Sequence, residues 1–578
     1  MSIVFSELKK YAKQIVFLVL AVIGMTLGLL ALPSLMKVIV DEAIPTKDAG
    51  YVFVVTGQML LFVALSVFCG IITFRLSATI SMGVGRNLRS AVFSKVQGLS
   101  LKEIDSFSTS SLITRTNNDI TQVQTFLSLC LSIAVIAPIT CICGLALSIS
   151  TSRSLSSVLI IAVPLLVIAL VIIGRIAIPL SVSLQTRLDT INMVIREKLT
   201  GVRVIRAFGT SDFEDARFDA INTDYTNINK KLLNVTNLLL PIITIVLSIT
   251  MGLIMLTAYL GFKYENESYT TGEIIAVLGY VMQILTSVTM MTIVFLLLPR
   301  AATSASRAKE VLESVNEITN PAEPKDNSAQ TGYLEFRNVS FTYAGADTPA
   351  IRGLSFLAKP GETTAIIGGT GMGKSTIVNL IPRLYDVTEG QVLVDGIDVR
   401  EYDLEVLRKK IGFVPQKALL FKGTIDSNLA FGDENPTEER IEEAVKIAQS
   451  YDFVMKKEDG FASPVAQGGT NFSGGQKQRL CIARAIVRKP EIYVFDDSFS
   501  ALDFKTDKSL RTALKKETGD HATTVIVAQR VSTIIDADRI IVVEKGEIAG
   551  IGTHAELLKT CDIYKEIVAS QMSKEESK

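Results

Sequence analysis

The sequence predicts an all-α transmembrane domain of six long helices, followed by an α/β domain built on a mostly parallel sheet. Six apolar stretches, each long enough to cross a bilayer, lie in the first part of the 578 residues. From Leu334 onward, short β-branched runs alternate with helical patterns, which is typical of such a sheet. The mean hydropathy of +0.38 is too high for a soluble protein of this size. We therefore predict a transmembrane domain over residues 1–315, a linker over 316–333, an α/β domain over 334–571 and a polar tail over 572–578.

Loop charges orient the six apolar stretches in the membrane. The stretches run approximately over residues 15–37, 51–74, 126–149, 155–177, 237–260 and 275–298. The two long loops between them, about 75–125 and 178–231, carry many basic residues, whereas the short loops offer little beyond Lys47, Arg153 and Lys263. Because basic loops remain cytoplasmic, both termini and the second domain are predicted on the cytoplasmic side. Apolar and lysine positions alternate over residues 3–13, which predicts a short amphipathic helix on the bilayer surface.

The two long basic loops are predicted to be helical rather than irregular. Apolar residues recur at helical spacing, as at Leu188, Ile191 and Ile195. We interpret the loops as membrane helices that continue into the cytoplasm, each pair joined by a short helix at the tip. An ordinary solvated loop is the alternative. The tips at 107–115 and 201–208 are candidate contacts with the second domain.

Few polar residues near the apolar stretches are distinctive. Asp41 and Glu42 follow the first stretch at its predicted outer end. Carboxylates so close to hydrocarbon are costly unless they face water or a partner, so they are candidates for an outer gate or a cation site. A simple interfacial anchor is the alternative. Cys141 and Cys143 are more simply explained by small-residue packing than by a redox or metal site, since no zinc spacing is present.

The charges are balanced overall but unevenly distributed. Lys and Arg together number 58, as do Asp and Glu, which excludes a general nucleic-acid binder. Residues 1–314 hold 25 basic and 19 acidic residues, whereas the remainder holds 33 and 39. The two parts therefore have different surroundings. The chain has only two histidines, His521 and His554.

The strongest motif in the second domain is a glycine-rich stretch that ends in lysine and serine. It matches G-x-x-x-x-G-K-[ST], follows the apolar run 364–367 and precedes a helical pattern that begins at Thr376. Glycines let backbone N–H groups close around phosphates at a helix N-terminus, the lysine balances the β- and γ-phosphate charge, and the serine can ligate Mg²⁺. The motif predicts ATP and Mg²⁺ as cofactors. Its residues are Gly368, Gly369, Thr370, Gly371, Met372, Gly373, Lys374 and Ser375.

Two further segments complete a nucleotide site. The apolar run 492–495 ends in Asp496, a carboxylate suited to holding Mg²⁺ through water. Between the two motifs, Phe472, Ser473, Gly474, Gly475 and Gln476 open a second helix with a phosphate-binding N-terminus. Because one site needs only one such loop, the second is predicted to serve a different ATP.

Taken in order, these motifs resemble those of a type I ABC exporter half-transporter, and the resemblance covers essentially the whole chain. It implies that residues 472–476 are the signature loop, with Phe where Leu is usual, and that this loop contacts ATP held by a second subunit. It further implies that Tyr343 stacks on adenine, that Gln416 is the Q-loop glutamine sensing Mg²⁺, and that Asp503 lies in the D-loop. The cytoplasmic tips would be the coupling helices.

Two catalytic positions depart from the family pattern. Asp497 stands where the family normally has Glu, and Gln529 replaces the switch histidine. A carboxylate one methylene shorter lies about 1 Å too far back, and misplacement of that size can cost roughly 10²-fold in rate. Glutamine cannot become cationic or relay a proton. Gln467 is a third difference, at a position where the family usually has Glu.

The paired substitutions resemble the degenerate-site subunit of heterodimeric bacterial multidrug exporters. That resemblance implies a partner half-transporter carrying Glu and His, an amphipathic small molecule as substrate, and a bacterial cell membrane as location. Harmless drift at both positions is the alternative. Rival functions are a homodimeric exporter, a lipid or peptide exporter, and an ATP-gated channel or regulatory subunit. An importer is disfavoured because its ATPase domain is commonly a separate chain.

Overall fold

The computed structural model describes residues 1–265, 269–326, 328 and 330–575. These residues form two compact units, one comprising Met1–Gln97 and Ser108–Ser314 and the other Gly98–Phe107 and Val315–Lys578. The helices of the first part of the chain are α1 Ser2–Lys9, α2 Ala12–Val38, α3 Ala49–Gln97, α4 Leu101–Phe107, α5 Thr109–Thr114, α6 Ile120–Leu129, α7 Val135–Thr151, α8 Arg153–Thr200, α9 Val202–Phe208, α10 Ser211–Asn237, α11 Leu239–Leu260 and α12 Thr271–Glu313.

The membrane unit contains six helical segments long and apolar enough to span a bilayer, counted over the described residues. Single π-helical turns at 115–119 and 130–134 join shorter helices into one segment, and those at 39–43 and 261–265 follow the ends of α2 and α11. At about 1.5 Å per residue, the 49 residues of α3 extend roughly 70 Å, far beyond a hydrocarbon core of about 30 Å. The prediction of six long helices is therefore confirmed. The six segments are Ala12–Ala43, Ala49–Gln97, Thr109–Thr151, Arg153–Thr200, Ser211–Tyr264 and Thr271–Glu313.

Asp41 caps the last membrane helix. Its Oδ1 accepts a hydrogen bond from the Gly272 backbone N–H at 2.8 Å, and its Oδ2 accepts one from the Thr270 hydroxyl. Lys37 forms an ion pair of 3.0 Å with Glu273 in the same first turn of α12. A carboxylate at a helix N-terminus satisfies backbone donors that lack a partner within the helix. These contacts connect the end of the first span to the start of the last one, and an outer gate or cation site at Asp41 and Glu42 stays a prediction.

A short helix lies just upstream of the first predicted tip. This helix is α4, Leu101–Phe107, whereas most of the stretch 107–115 begins the next long helix at Thr109. Ser108 separates α4 from α5. It is the N-cap of α5, since its hydroxyl accepts a hydrogen bond from the Ser111 N–H. Gly98–Phe107 groups with the second unit, although the sequence-based boundary placed it in the transmembrane domain.

Contacts within the second unit explain why residues 98–107 group there. The Asn316 side chain donates to the Gly98 carbonyl at 2.6 Å and accepts from the Ser100 N–H at 3.2 Å. Lys102 pairs with Glu317 at 2.6 Å. The predicted linker is likewise fastened to this unit, because the Lys325 side chain pairs with Glu401 at 3.0 Å. Of the predicted tail 572–578, residues up to Glu575 continue a helix, and 576–578 lie outside the described residues.

The second unit is an α/β domain whose main sheet has six strands in the order β12-β11-β3-β10-β9-β6. All neighbours pair in parallel except β11 and β12. A four-stranded antiparallel sheet has the order β2-β1-β4-β5, and β7 pairs with β8. The strands are β1 Leu334–Phe341, β2 Ile351–Ala358, β3 Thr363–Ile367, β4 Glu389–Val394, β5 Ile397–Asp398, β6 Ile411–Val414, β7 Gly423–Thr424, β8 Pro464–Val465, β9 Ile492–Asp496, β10 Thr523–Val527, β11 Arg539–Glu544 and β12 Glu547–Gly552.

Cores lie on both faces of the six-stranded sheet. Consecutive residues of one strand point to opposite faces, and Val494 and Phe495 of β9 accordingly join two different apolar clusters. This two-sided burial explains why the strands are continuously apolar rather than alternating. The helices of this part are α13 Lys374–Leu380, α14 Leu404–Lys409, α15 Ile425–Ala430, α16 Glu438–Ile447, α17 Tyr451–Met455, α18 Gly474–Val487, α19 Phe504–Thr518, α20 Val531–Ile534, α21 His554–Thr560 and α22 Asp562–Glu575.

Candidate nucleotide-binding site

Three neighbouring strands bring the phosphate motif and the changed positions together. In the sheet register Val527 of β10 lies between Ile366 of β3 and Asp496 of β9. The carboxyl ends of parallel strands meet at one edge of a sheet, where ligands of α/β proteins commonly bind. The phosphate loop follows β3, Asp497 follows β9 and Gln529 follows β10. The sequence motifs therefore converge on one edge.

The phosphate loop needs its glycines for two different reasons. Gly371 and Gly373 adopt φ angles of +81° and +89°, in the left-handed region that favours glycine. A Cβ at Gly373 would also lie 2.7 Å from the Ala350 carbonyl oxygen. Gly368 has no such φ, but a Cβ there would lie 2.2 Å from the Val543 carbonyl oxygen. The glycines therefore let the loop pack closely against neighbouring backbone and lead directly into the N-terminus of α13.

Lys374 and Ser375 begin α13 and face the two acidic residues. The Lys374 ammonium donates to the carbonyls of Gly368 at 2.8 Å and Gly369 at 2.6 Å. Burial lowers the pKa of Lys374, and the charges of Asp497 and Asp496 oppose that change. The Ser375 hydroxyl donates to Asp496 Oδ1 at 3.1 Å. A hydroxyl beside a buried carboxylate is a donor set that suits Mg²⁺.

Burial raises the pKa of both acidic residues. For Asp496, the Ser375 hydrogen bond and the Lys374 charge oppose the increase. For Asp497, hydrogen bonds from Gln416 and Ser500 and the charges of Lys374 and Arg530 oppose it. Two desolvated carboxylates at one strand end favour a cation that would neutralise them.

We expect Asp496→Asn to raise the thermal unfolding midpoint of the full-length protein without Mg²⁺ or ATP. When the folded-state pKa of a carboxyl group is raised, the free energy of unfolding falls as pH rises toward and through that pKa. Replacing the carboxyl with a neutral amide should therefore raise the midpoint most at neutral pH and least under acid conditions. Glu335→Gln is the contrasting control. The hydrogen bond from Arg337 lowers the pKa of Glu335, so its replacement removes a stabilising charge and should lower the midpoint slightly at neutral pH. An Asp496→Asn midpoint below wild type at neutral pH would contradict this account.

Gln529 binds the neighbouring changed residue directly. Its side-chain Nε2 donates to Asp497 Oδ2 at 2.9 Å. The Asp497 backbone has a φ of +47° and its N–H donates to the Val527 carbonyl at 3.0 Å, which ties it to β10. His554 does not take part in this pair; its Nδ1 lies 2.8 Å from the Tyr564 hydroxyl. The structure thus brings the two substitutions together as one hydrogen-bonded pair.

Tyr343 belongs to an aromatic cluster beside α13. Its hydroxyl lies 2.9 Å from the Thr376 hydroxyl oxygen, and its ring meets those of Phe341 and Tyr385 edge to face. The Tyr385 hydroxyl donates to Asp105 at 3.2 Å, and burial followed by the Asp105 charge raises the pKa of Tyr385 to about 12. The Tyr343 side chain is 37% exposed. The Tyr343 ring is thus fixed by edge contacts while part of it stays exposed, which suits it to stacking on a base.

Tyr343→Ala is expected to weaken ATP binding by about 1–3 kcal/mol, the usual loss when an aromatic side chain that stacks on a base is removed. Tyr343→Phe keeps the ring and loses only the contact with Thr376, so its affinity should remain close to wild type. Equilibrium binding of ATP to the full-length chain measures both. Tyr264→Ala, an exposed aromatic in the membrane unit, serves as control. Equal affinities of Tyr343→Ala and wild type would remove Tyr343 from the base site.

α18 is the second helix predicted to bind phosphate. Ser473 caps it: its Oγ accepts from the Gln476 N–H at 3.3 Å, and Gln476 Oε1 accepts from the Ser473 N–H at 3.0 Å. A Cβ at Gly475 would lie 3.0 Å from the Ala501 carbonyl oxygen, so the helix start packs closely against the segment before Asp503. Phe472 is only 6% exposed, with Lys457 over its ring. Its ring belongs to the core, whereas Ser473 and Gly474 are exposed.

Asp503 has a local role that the motif did not indicate. Its Oδ1 accepts from the Thr506 N–H at 3.0 Å and caps α19, and this backbone hydrogen bond lowers the pKa of the carboxyl group. Sequence reasoning also missed Tyr385, Asp105 and Gln571. The first two are separated widely in the chain. Gln571 Nε2 donates to the Gln529 carbonyl at 2.7 Å, a side-chain to backbone contact without any sequence pattern.

Comparisons with known proteins agree with this arrangement. A family model described as the ABC transporter transmembrane region matches residues 15–288, and one described as ABC transporter matches residues 351–500. An uncharacterized ABC transporter ATP-binding protein of Mycobacterium tuberculosis is 41% identical over 98% of this chain and 97% of its own. The ATP-dependent lipid A-core flippase of Salmonella typhimurium is 32% identical over 92% of this chain and 91% of the flippase. The solved structure of a bacterial Atm1-family ABC exporter with ATP bound has a TM-score of 0.80 and 26% identity, covering 97% of this chain and 98% of that one.

Proposed function

Since this chain belongs to the ABC transporter family and fuses the membrane and ATPase domains of an ATP-driven exporter, we propose that it is one subunit of a heterodimeric exporter of amphipathic small molecules. In this proposal its own phosphate loop holds ATP in a weakened site, and its signature loop completes the site of the partner. The membrane is the bacterial cell membrane, with both termini and the ATPase domain in the cytoplasm, as the basic loops indicate.

The observation that carries the weakened site is the hydrogen bond between Gln529 and Asp497. A carboxylate that polarises the attacking water must reach it. Asp497 is one methylene shorter than the usual Glu, and one of its oxygens is already occupied by the Gln529 amide. Glutamine, unlike histidine, cannot carry a proton or a positive charge. Both effects oppose hydrolysis and leave nucleotide binding intact.

The candidate metal-binding residues support ATP binding with Mg²⁺. Ser375 and Asp496 would hold the ion, and Gln416 would contribute from the Q-loop position. The influence of Gln416 on the pKa of Asp497 supports this role. The ion supplies charge neutralisation for the β- and γ-phosphates. Burial raises the pKa of the Asp496 carboxyl group. A bound cation would offset this desolvation, so Asp496 fits the role of a metal ligand.

The exposed start of α18 supports a two-subunit site. Ser473 and Gly474 present a capped helix N-terminus to solvent, where the helix dipole and free N–H groups attract phosphate. In the proposed dimer this surface faces ATP held by the partner. A homodimer would carry two weakened sites, which is why we favour a partner with Glu and His at the changed positions.

The tips of the long helices are the proposed coupling elements. α4 lies in the same compact unit as the ATPase domain, and Asp105 reaches the aromatic cluster of Tyr343 through Tyr385. α9 is different: no residue of it is buried, and Phe208 is 78% exposed. An exposed apolar tip supports contact with the ATPase domain of the partner.

A lipid-like molecule is a second candidate substrate. The 32% identity with a protein named a lipid A-core flippase favours an amphipathic substrate with acyl chains. Substrate stimulation of ATP hydrolysis, compared between cationic amphipathic drugs and lipids, would separate the two classes.

Purified alone, the chain is expected to bind ATP and to hydrolyse it slowly, on the order of 10²-fold below the two-subunit complex. ATP binding and turnover are measured on both preparations under the same conditions. The protein that co-purifies with the chain is identified at the same time. Full turnover and full transport by the chain without any other protein would overturn the heterodimer in favour of a homodimeric exporter.

A further inference from the structure

The C-terminal helix holds the switch loop through one side chain. The Gln571 amide lies on α22 and makes two hydrogen bonds of 2.7 Å. Its Nε2 donates to the Gln529 carbonyl, and its Oε1 accepts from the Val531 N–H. One planar amide thus satisfies both a backbone acceptor and a backbone donor on either side of Arg530.

The switch loop has few other restraints. β10 ends at Val527, and α20 begins at Val531 with no side-chain cap. Gln529 and Arg530 between them are exposed, so core packing does not fix their positions. The loop is therefore held by the sheet at one end and by Gln571 at the other. Among the described residues, the hydrogen bond of the Gln529 side chain is the one to Asp497.

α22 is well placed to act as a fixed support. Tyr564 and Val568 on this helix belong to the large core beneath the sheet, and the Tyr564 hydroxyl contacts His554. The helix is thus anchored in the core independently of Gln571. Through its hydrogen bond to the Gln529 carbonyl, the Gln571 amide restrains the backbone of Gln529 relative to this anchored helix.

We propose that Gln571 is a positioning residue for the ATP site, which sets where the side chain at position 529 points relative to Asp497. This proposal rests on the proposed function, since it takes position 529 as the switch of that site. It places control of hydrolysis partly in the last helix of the chain. Loss of the Gln571 amide would free the side chain at position 529 to move relative to the carboxylate at position 497, so its orientation would vary from site to site.

Amide hydrogen exchange of the full-length protein tests the physical part of the proposal. Gln571→Ala should increase exchange at Val531 by about fivefold, the equivalent of one net hydrogen bond of about 1 kcal/mol. Gln571→Glu keeps the acceptor for Val531 but sets a carboxylate against the Gln529 carbonyl, so it should also loosen the loop. Lys565→Ala, which removes an exposed ion pair with Asp562 on the same helix, is the matched control. Unchanged exchange in Gln571→Ala would overturn the proposal.

Kinetics test the functional part. The parent is the assembled transporter carrying Asp497→Glu and Gln529→His, with a partner that has lost its own phosphate-loop lysine. In this parent Gln571→Ala should lower kcat about tenfold, while KM for ATP stays within twofold, since a displaced switch affects turnover and not binding. A kcat within twofold of the parent, together with faster exchange, would also overturn the proposal. If the parent pair itself gains no turnover, the weakened-site proposal fails at that comparison, and the exchange result alone decides whether Gln571 holds the loop.

Discussion

Asp497→Glu combined with Gln529→His is expected to raise ATP turnover at this chain's own site by roughly 10²-fold. The longer carboxylate regains the methylene that places it over the attacking water, and histidine replaces the amide that now occupies Asp497 Oδ2. Either substitution alone should give a smaller gain, because each leaves one half of the pair in place. The two effects should therefore be more than additive.

The measurement needs the contribution of this site alone. Turnover is compared between wild type and the double variant in a complex whose partner has lost its own phosphate-loop lysine. Asp536→Glu, a surface carboxylate with an 80% exposed side chain, controls for lengthening an acid elsewhere in the domain. Since Asp497 has a φ of +47°, which Asp tolerates better than Glu, the unfolding midpoint is recorded as well. A stable double variant without a gain would locate the lesion away from these two residues.

Ser473→Asp is expected to abolish most of the turnover of the assembled transporter, by at least about 10²-fold, the usual effect of losing one preorganised donor. Asp caps a helix as well as Ser does, so α18 should remain folded. Its negative charge would nevertheless repel the phosphates that the signature loop is proposed to bind. ATP binding to the chain's own phosphate loop should be unaffected, since that loop is a separate segment after β3.

Two comparisons make this result specific. Ser473→Asn supplies a neutral cap of similar quality and should retain far more activity than Ser473→Asp. Thr437→Asp makes the same kind of change at the N-cap of α16 and should leave turnover near wild type. If Ser473→Asp reduced ATP binding to the isolated chain as strongly as it reduced turnover of the complex, the signature would serve this chain's own ATP, contrary to the proposed dimer.

Much of the fold could be predicted because its determinants are local. Six apolar runs and a glycine-rich loop between a strand and a helix each occupy a short stretch of sequence. The order of the strands could not be predicted, because parallel strands are joined by crossovers and many orders satisfy the same pattern. The position of β10 between β3 and β9 brings Gln529 beside Asp497, and it became known only from the structure.

The candidate site shows the same division. The residues of the phosphate loop, Asp496 and the signature are carried by motifs. Phe472 was assigned to the signature by its position, whereas its ring is buried against Lys457. Gln571 and Asp105 act through single long-range hydrogen bonds. Such contacts have no periodicity and no fixed spacing, so the sequence alone does not reveal them.

The grouping of residues 98–107 with the ATPase domain has a practical consequence for dividing the chain into fragments. A fragment that starts after Ser314 would contain the phosphate loop and the signature, yet it would lack the partners of Tyr385 and Glu317, which are Asp105 and Lys102. Asn316 would likewise lose Gly98 and Ser100. The compact unit that contains the ATPase motifs is therefore discontinuous in sequence, and a fragment that starts after Ser314 would lack part of this unit.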